Sequence, residues 1–184
     1  GTTAFYSKVW VDSVVIPSSV TNIGNSAFYW CTYMTSVTIG TNVGSIGQWA
    51  FVDTALTSVS IPGSVKSFGT WAFGANSDLT SVTIGDGVPV LGVGIFSGCS
   101  KLVSLSIPNS VTRIADQAFQ SCNKLAHLAI PNSVTNIGDS VFLWCPSLLS
   151  VTLPNNFTRI GTETFSGCTS LTNAPIPDSV TSIG

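Results

Sequence analysis

The sequence predicts a repeat solenoid, with a parallel β-sheet on one face and short turns or single helical turns on the other. Phenylalanine recurs every 22 or 23 residues, three further apolar columns keep step with it, and a proline or glycine follows the same apolar pair in each repeat. A fixed period of this length is the sequence signature of stacked repeats. The eight phenylalanines are Phe5, Phe28, Phe51, Phe73, Phe96, Phe119, Phe142 and Phe165.

The accompanying columns divide residues 1–184 into one solenoid of eight repeats, with a single deletion between Phe51 and Ile61. One coil cannot enclose its own apolar side chains, so each coil must bury them against its neighbours. The first column is Ile16, Ile39, Ile61, Ile84, Ile107, Ile130, Leu153 and Ile176. The second is Val20, Val43, Val65, Val88, Val111, Val134, Phe157 and Val180. The third is Ile23, Ile46, Phe68, Leu91, Ile114, Ile137, Ile160 and Ile183.

The first element of each repeat is a short strand with one buried face. Leu105 and Ile107 show the alternation of period two that is typical of such a strand. A proline stops most of these strands, because proline cannot donate a hydrogen bond to a ladder. Gly40 and Gly85 hold the same position in the other two repeats. We therefore expect eight short parallel strands, stacked about 4.8 Å apart.

The rest of each repeat predicts a bend and then one helical turn. A glycine column marks the bend, where φ is free to be positive. Ala115 interrupts this column, so the bend does not demand a left-handed residue in every coil. The Ala-Phe segment that follows is too short for a long helix and is interpreted as a single helical turn. The glycines are Gly1, Gly24, Gly47, Gly69, Gly92, Gly138, Gly161 and Gly184.

Two repeats carry the resemblance to a known family most clearly. They read "LVSLSIPNSVTRIADQAFQSC" and "LAHLAIPNSVTNIGDSVFLWC", beginning at Leu102 and Leu125. The pattern resembles the BspA-type leucine-rich repeat, the 23-residue class of bacterial surface proteins. The resemblance implies a leucine-rich-repeat solenoid that is extracellular or anchored at the cell surface. It also implies adhesion to host-matrix proteins, to other extracellular proteins or to other cells.

Composition limits the partners. Charged residues make up only 8% of the chain and the formal net charge is -2. The chain therefore lacks the clustered basic residues with which proteins bind a nucleic acid. No apolar run approaches the roughly 18 residues of a membrane span, so we expect no span in this fragment. A weakly charged surface rich in hydroxyl groups also favours self-association.

The strand residues that alternate with the buried ones predict an uncharged, hydroxyl-lined sheet face. Either these small polar residues only solvate the sheet, or they form an extended binding surface, as solenoids often do. Ice binding is a remote alternative, because Ser/Thr ladders on a flat sheet can order water. The candidate binding residues are Ser36, Thr38, Ser58, Ser60, Ser81, Thr83, Ser104, Ser106, His127, Ser150 and Thr152.

Cysteines form a column of their own: Cys31, Cys99, Cys122, Cys145 and Cys168. Stacked coils place neighbouring members within disulfide range, but a buried column of parallel side chains favours free thiols. Their spacing shows no C-x-x-C zinc signature. Asn156, in Asn156-Phe157-Thr158, is a candidate glycosylation acceptor.

Nothing in the sequence predicts catalysis, a cofactor or a metal site. His127 is the only histidine and lies in an outward strand column, whereas Cys122 lies in an inward one. Glu163 is the only glutamate, and the aspartates form no pair in register. We therefore expect a protein that is not an enzyme.

Aromatic side chains cluster around the repeat phenylalanine. Trp30 and Trp144 follow it by two residues, Trp49 and Trp71 precede it by two, and Tyr29 follows it directly. These rings either pad the convex side between coils or form a lateral contact patch, since Trp and Tyr are enriched at interfaces. The N-terminal half holds most of them, so a contact is expected there.

The two ends suggest a second class of function. Gly1 and Gly184 occupy the same position of the repeat, and neither end coil carries a polar cap, which solenoids normally need. Either the chain is a window on a longer array, or copies stack end to end into an extracellular filament. The main hypothesis is an adhesion or recognition module, and the alternative is the filament subunit.

Overall fold

A computed structural model describes residues 3–184, so Gly1 of the glycine column lies outside the described residues. Each coil contributes two short strands and a run of turns, except that the last coil contributes only the second strand, and the strands pair in parallel with those of neighbouring coils. The predicted parallel solenoid is therefore confirmed. Within residues 3–184 there is no helix, so the predicted helical turn is wrong.

The first sheet is the predicted one, but with seven of the eight expected strands, because Asn173 in the last coil forms only an isolated parallel bridge with Ser150. It contains β1 (Ser13–Val15), β3 (Ser36–Thr38), β5 (Ser58–Ile61), β7 (Ser81–Ile84), β9 (Ser104–Leu105), β11 (His127–Ala129) and β13 (Ser150–Thr152). Its strands pair in register within three hydrogen-bonded groups, β1-β3, β5-β7-β9 and β11-β13, so Val59 lies beside Val82 and Val82 beside Leu105. Equivalent residues of the repeat therefore form straight columns.

A second parallel ladder was not predicted. It contains β2 (Asn22–Ile23), β4 (Ser45–Ile46), β6 (Ser67–Phe68), β8 (Val90–Leu91), β10 (Arg113–Ile114), β12 (Asn136–Ile137), β14 (Arg159–Ile160) and β15 (Ser182–Ile183). A β-turn leads into each of these strands, as where the Val111 N–H donates to the Pro108 carbonyl at 3.0 Å. After the turn the chain resumes an extended path and buries one residue, such as Ile114.

The interior is a stack of phenylalanine rings surrounded by aliphatic columns. Phe51, Phe73, Phe96, Phe119 and Phe142 have no exposed surface. The centroids of successive rings lie 5.0 to 6.2 Å apart and the rings are nearly parallel. Burial of each large apolar side chain contributes about 1.5–3 kcal/mol before entropy is subtracted. Most of the stability of a coil therefore comes from contact with its neighbours.

The turn side, on which the Ala-Phe segments lie, uses two kinds of backbone hydrogen bond in alternation. The Phe28 N–H donates to the Ala50 carbonyl of the next coil at 2.8 Å, whereas the Tyr29 N–H donates back to the Ser26 carbonyl at 3.3 Å. A helix would direct every N–H along its own axis. Here every second N–H joins two coils instead, because positive φ angles two residues before and two residues after the phenylalanine reverse the chain direction.

The glycine column serves close packing between coils rather than a left-handed backbone. Among the glycines described, only Gly87, Gly94, Gly98 and Gly167 have positive φ, and none of them belongs to this column. The predicted positive φ at the bend is therefore wrong. A Cβ on Gly138 would lie 2.5 Å from the Asp116 nitrogen of the preceding coil, and one on Gly69 would lie 2.5 Å from the Gln48 Cα. A side chain in these coils would push neighbouring coils apart.

Candidate binding surfaces

The sheet face is the outward surface of the first sheet, formed by the eleven candidate residues that alternate with the buried columns. Ten of them are exposed, and Ser150 is half-buried. Ser58, Ser81 and Ser104 lie side by side across three strands, and Ser60 lies beside Thr83. The result is an uncharged surface of hydroxyl groups across these three strands.

His127 is the one imidazole on this face. Its Nδ1 lies 2.8 Å from the Ser150 hydroxyl of the next coil. Cys122 is buried, and its thiol donates to the Phe96 carbonyl at 3.3 Å, so the two side chains have separate partners. No group of three or more His, Cys, Asp or Glu residues in the described part of the chain could hold a metal ion.

The cysteines are free thiols, as the parallel column predicted. Each donates to the carbonyl of the phenylalanine in the preceding coil, as Cys145 does to Phe119 at 3.1 Å. Burial raises the pKa of Cys99 and of Cys145 to about 12. It also raises the pKa of Cys122 well above its ordinary value. These thiols stay protonated at neutral pH and are poor nucleophiles, since the thiolate is the reactive form.

Asn76 and Thr54 replace cysteine where the one-residue deletion falls. The Asn76 amide nitrogen donates to the carbonyls of Phe51 at 2.7 Å and Phe73 at 2.8 Å. Its amide oxygen accepts hydrogen bonds from the Thr54 backbone N–H and from the Thr54 hydroxyl. Both residues are buried. A fully satisfied polar pair thus fills the space that a thiol fills in the later coils.

Asn156 is exposed, whereas Phe157 is buried, as expected for an acceptor next to an inward column. Glycosylation of Asn156 stays a prediction.

Two columns on the turn side have left-handed backbone in every coil. They lie two residues before and two residues after the phenylalanine, and four of the five tryptophans occupy them. A bulky residue with positive φ is uncommon, and the conformation costs an L-residue about 1–2 kcal/mol. The columns are Thr3, Ser26, Trp49, Trp71, Gly94, Gln117, Ser140 and Glu163, and Ser7, Trp30, Asp53, Ala75, Gly98, Ser121, Trp144 and Gly167.

An open cleft, called here the aromatic groove, runs between these columns over the first four coils. Its volume is about 440 Å³, within the range of small-molecule sites. The exposed ring of Trp49 and the partly exposed rings of Tyr29 and Trp71 line it. The complete lining is Tyr6, Ser26, Tyr29, Trp49, Val52, Asp53, Trp71 and Ala75.

Contacts between coils hold the rings of the aromatic groove in place. Tyr6 stacks on Tyr29 with centroids 5.3 Å apart, and Tyr29 lies 6.5 Å from Trp49 at an interplanar angle of 58°. Sequence reasoning expected a contact patch in this half but did not find the groove. The left-handed positions of the tryptophans, which create it, leave no periodic signal in the sequence.

Two further contacts hold the walls of the aromatic groove in place. The Trp30 Nε1–H donates to Asp53 Oδ2 at 3.0 Å. The Trp71 ring lies against two glycines: a Cβ on Gly74 would lie 2.8 Å from its Cε3, and one on Gly94 would lie 3.0 Å from its Cγ. The absence of side chains at Gly74 and Gly94 makes room for this ring.

Comparison with protein families gives one match, which covers the chain. The profile of the BspA-type leucine-rich repeat region, in six copies, matches residues 1–100 and 74–184. No curated protein matches the chain. In the described residues no helix is long and apolar enough to cross a membrane.

Solved structures of bacterial leucine-rich repeat proteins are similar over nearly the whole chain. A leucine-rich cell surface protein from Faecalibacterium prausnitzii is 31% identical, with a TM-score of 0.64 over 98% of this chain. The T. pallidum leucine-rich repeat protein is 28% identical, with a TM-score of 0.74 over 95% of this chain and 73% of its own. A leucine-rich repeat protein from Bacteroides ovatus is 28% identical, with a TM-score of 0.60 over 100% of this chain. The chain spans only 51% of the F. prausnitzii protein and 65% of the B. ovatus protein.

Proposed function

The chain belongs to the BspA-type leucine-rich repeat family, and on that basis we propose that it is a non-enzymatic recognition module that binds an extracellular protein through the sheet face. The observation that carries this proposal is the exposure of the face. Ten of its eleven candidate residues are exposed, and the in-register pairing places them in straight columns. A cell-surface location agrees with the name of the similar F. prausnitzii protein.

The chemistry of the face fits a protein partner. Serine and threonine hydroxyls both donate and accept hydrogen bonds, and they carry little side-chain entropy to lose on binding. Formal charges are absent from the columns of Ser58, Ser81 and Ser104 apart from the titratable His127. Binding would therefore depend on shape and neutral hydrogen bonds, and it would respond weakly to salt.

The test is to place bulky charges on the sheet face. A Ser58→Arg, Ser81→Arg, Ser104→Arg variant should lose binding to cells or to immobilised matrix proteins. The matched control carries Asn22→Arg, Ser67→Arg and Asn136→Arg, all exposed on the second ladder. Unchanged binding of the sheet-face variant, with its melting temperature preserved, would contradict the proposal. Equal loss in the control would also contradict it, because added charge alone would then be responsible.

The filament stays a prediction, since no described contact tests it. The same preparations distinguish the two functions. Electron microscopy of a recognition module should show separate short rods, whereas a filament subunit should show continuous fibres with an axial repeat of about 40 Å, the length of eight stacked strands. Ice binding also stays a prediction, and a thermal hysteresis measurement on the same sample checks it.

A further inference from the structure

We propose that the aromatic groove binds an organic ammonium group, such as a quaternary ammonium head group. The groove lies on the turn side, so it is separate from the sheet face and does not depend on the function proposed for that face. Its lining combines four aromatic rings with a single carboxylate, Asp53.

Charge is the first argument for a cation. The faces of aromatic rings carry negative potential, and they attract alkylammonium ions, most strongly when several rings surround the ion. None of the eight lining residues is a lysine or an arginine. Asp53 adds a negative charge to the groove, so the groove disfavours an anion and favours a cation.

The second argument is that the groove is organised before a ligand arrives. Tyr6 and Trp30 both stack on Tyr29, with ring centroids 5.3 and 6.2 Å away, and the Trp49 ring lies at 58° to that of Tyr29. Trp30 holds Asp53 through one carboxylate oxygen, and the carboxylate stays half-buried at the wall. A site that needs no rearrangement loses less entropy on binding.

The third argument is the backbone. Trp49 and Trp71 have φ of 53° and 57°, and the same column holds Ser140 and Glu163 in the later coils. The fold therefore does not require a tryptophan there. Because every coil is left-handed at this column, the backbone alone does not account for the two tryptophans, and an L-residue with a bulky side chain is uncommon in this conformation.

Trp144 provides a comparison within the same molecule. It has φ of 58° in the column of Trp30, is exposed, and lies against Gly167 much as Trp71 lies against Gly74. Unlike Tyr29 and Trp49, it has no ring contact within residues 3–184. Trp144 is thus a left-handed tryptophan without a surrounding cage, and it serves as the matched control.

The experiment titrates the full chain with tetramethylammonium and with choline, by calorimetry and by tryptophan fluorescence. The neutral probe is 3,3-dimethylbutan-1-ol, which has the shape of choline without its charge. We expect choline to bind at least about tenfold more tightly than the neutral probe, since desolvated cation–π contacts and a nearby carboxylate each contribute on this scale.

Three variants test whether the ammonium ions bind in the aromatic groove. Trp49→Ser should abolish it, and serine already occupies the equivalent position at Ser140. Asp53→Asn keeps an acceptor for Trp30 and should weaken choline about tenfold without affecting the neutral probe. Trp144→Ala should leave both titrations unchanged. Circular dichroism and the melting temperature show that each variant remains folded.

Equal affinity for choline and the neutral probe would overturn the proposal, as would no binding of either ammonium ion. Loss of binding in Trp144→Ala equal to that in Trp49→Ser would also overturn it. Two further probes carrying the same head group identify its source. Tighter binding of trimethyl-lysine amide would assign a modified side chain, and tighter binding of phosphatidylcholine vesicles would assign a lipid; both results support the proposal.

Discussion

The four coils that contain Phe5, Phe28, Phe51 and Phe73 and the four that contain Phe96, Phe119, Phe142 and Phe165 share one backbone and differ in the side chains they turn outward. Both sets have two left-handed columns on the turn side. The N-terminal coils have tryptophan at three of their eight positions in these columns, whereas the C-terminal coils have it at one and carry glycine, serine, glutamine or glutamate at the other seven. The coil therefore depends on its inward columns, and the outward columns are free to serve binding.

The two sets of coils also differ in the column that holds the cysteines. The C-terminal coils repeat a thiol in every coil, whereas the N-terminal coils have Lys8, Cys31, Thr54 and Asn76 in the same place. Where Cys or Asn fills this column, the side chain donates to the phenylalanine carbonyl of the preceding coil. The phenylalanine carbonyl thus accepts a hydrogen bond from a thiol in some coils and from an amide in another.

The largest expected effect tests whether the two sets of coils share one core. Phe51→Ala and Phe119→Ala remove equivalent, fully buried rings, and each should lower the free energy of unfolding by about 3–5 kcal/mol. Denaturant unfolding followed by circular dichroism measures both values. If one of the two substitutions left the free energy of unfolding unchanged while the other lowered it, the two sets of coils would not share one kind of interior.

The next prediction compares the amide of Asn76 with the thiol of Cys122. Asn76→Leu conserves volume but leaves the Phe51 and Phe73 carbonyls and the Thr54 donors without this partner, so it should lower the free energy of unfolding by about 3 kcal/mol. Cys122→Ala loses one weak hydrogen bond and should lower it by about 1 kcal/mol. Equal effects in the same denaturant experiment would show that the polar pair is not specially required.

The thiol column predicts a dependence on alkaline pH. Because folding raises the pKa of Cys99 and Cys145 to about 12, the folded state favours the protonated thiol. The stabilisation is complete below the ordinary thiol pKa of 9.0 and is lost as pH rises through about 12. Each pKa unit corresponds to about 1.4 kcal/mol.

Unfolding midpoints measured between pH 8 and pH 11 check this prediction. The control is the Cys99→Ala, Cys145→Ala variant, whose midpoint should fall less steeply over the same range. Identical slopes would assign the alkaline loss to other groups. In native protein, alkylation followed by mass spectrometry should label the half-buried Cys168 before the buried Cys122.

The smallest effect tests the left-handed columns themselves. Gly98 has φ of 77°, and a Cβ there would lie 3.3 Å from the Ala75 Cα, so Gly98→Ala should lower the free energy of unfolding by about 1 kcal/mol. Ser121→Ala, at the same position of the next coil, already carries a Cβ and should change it by less than about 0.5 kcal/mol. A reversed order in thermal unfolding would contradict the assigned backbone.

Inward residues were predictable from the sequence because their period is fixed by burial. The columns of Phe119, Ile107 and Cys122 lie in the core as expected. The second ladder was missed because each of its strands is only two residues long and most of them bury a single side chain, so it shows no alternation. The turn side was predicted to be a helical turn because a short Ala-Phe segment is compatible with one. The left-handed backbone is instead imposed by hydrogen bonds to neighbouring coils, which the sequence of one coil does not show.

The positions of the outward residues could be predicted from the sequence, but their functions could not. Alternation in the strand located Ser81 and Ser104 on the sheet face, since a strand turns successive side chains to opposite sides. The aromatic groove depends on Tyr29 and Trp49 from different coils and on the space left by Gly74 and Gly94. No local pattern encodes such a combination.

The central claim is that the inward columns hold the coil and that the outward aromatic side chains, such as Tyr29 and Trp49, are not needed for folding. Its most direct test is amide hydrogen exchange in a variant carrying Tyr29→Gln and Trp49→Ser, the residues already present at Gln120 and Ser140. The amides of Phe28 and Phe51, which donate to the next coil, should keep the protection of the native protein. Protection that falls to the level of exposed turns in these coils alone would show that the aromatic residues stabilise their own backbone, and would contradict the account.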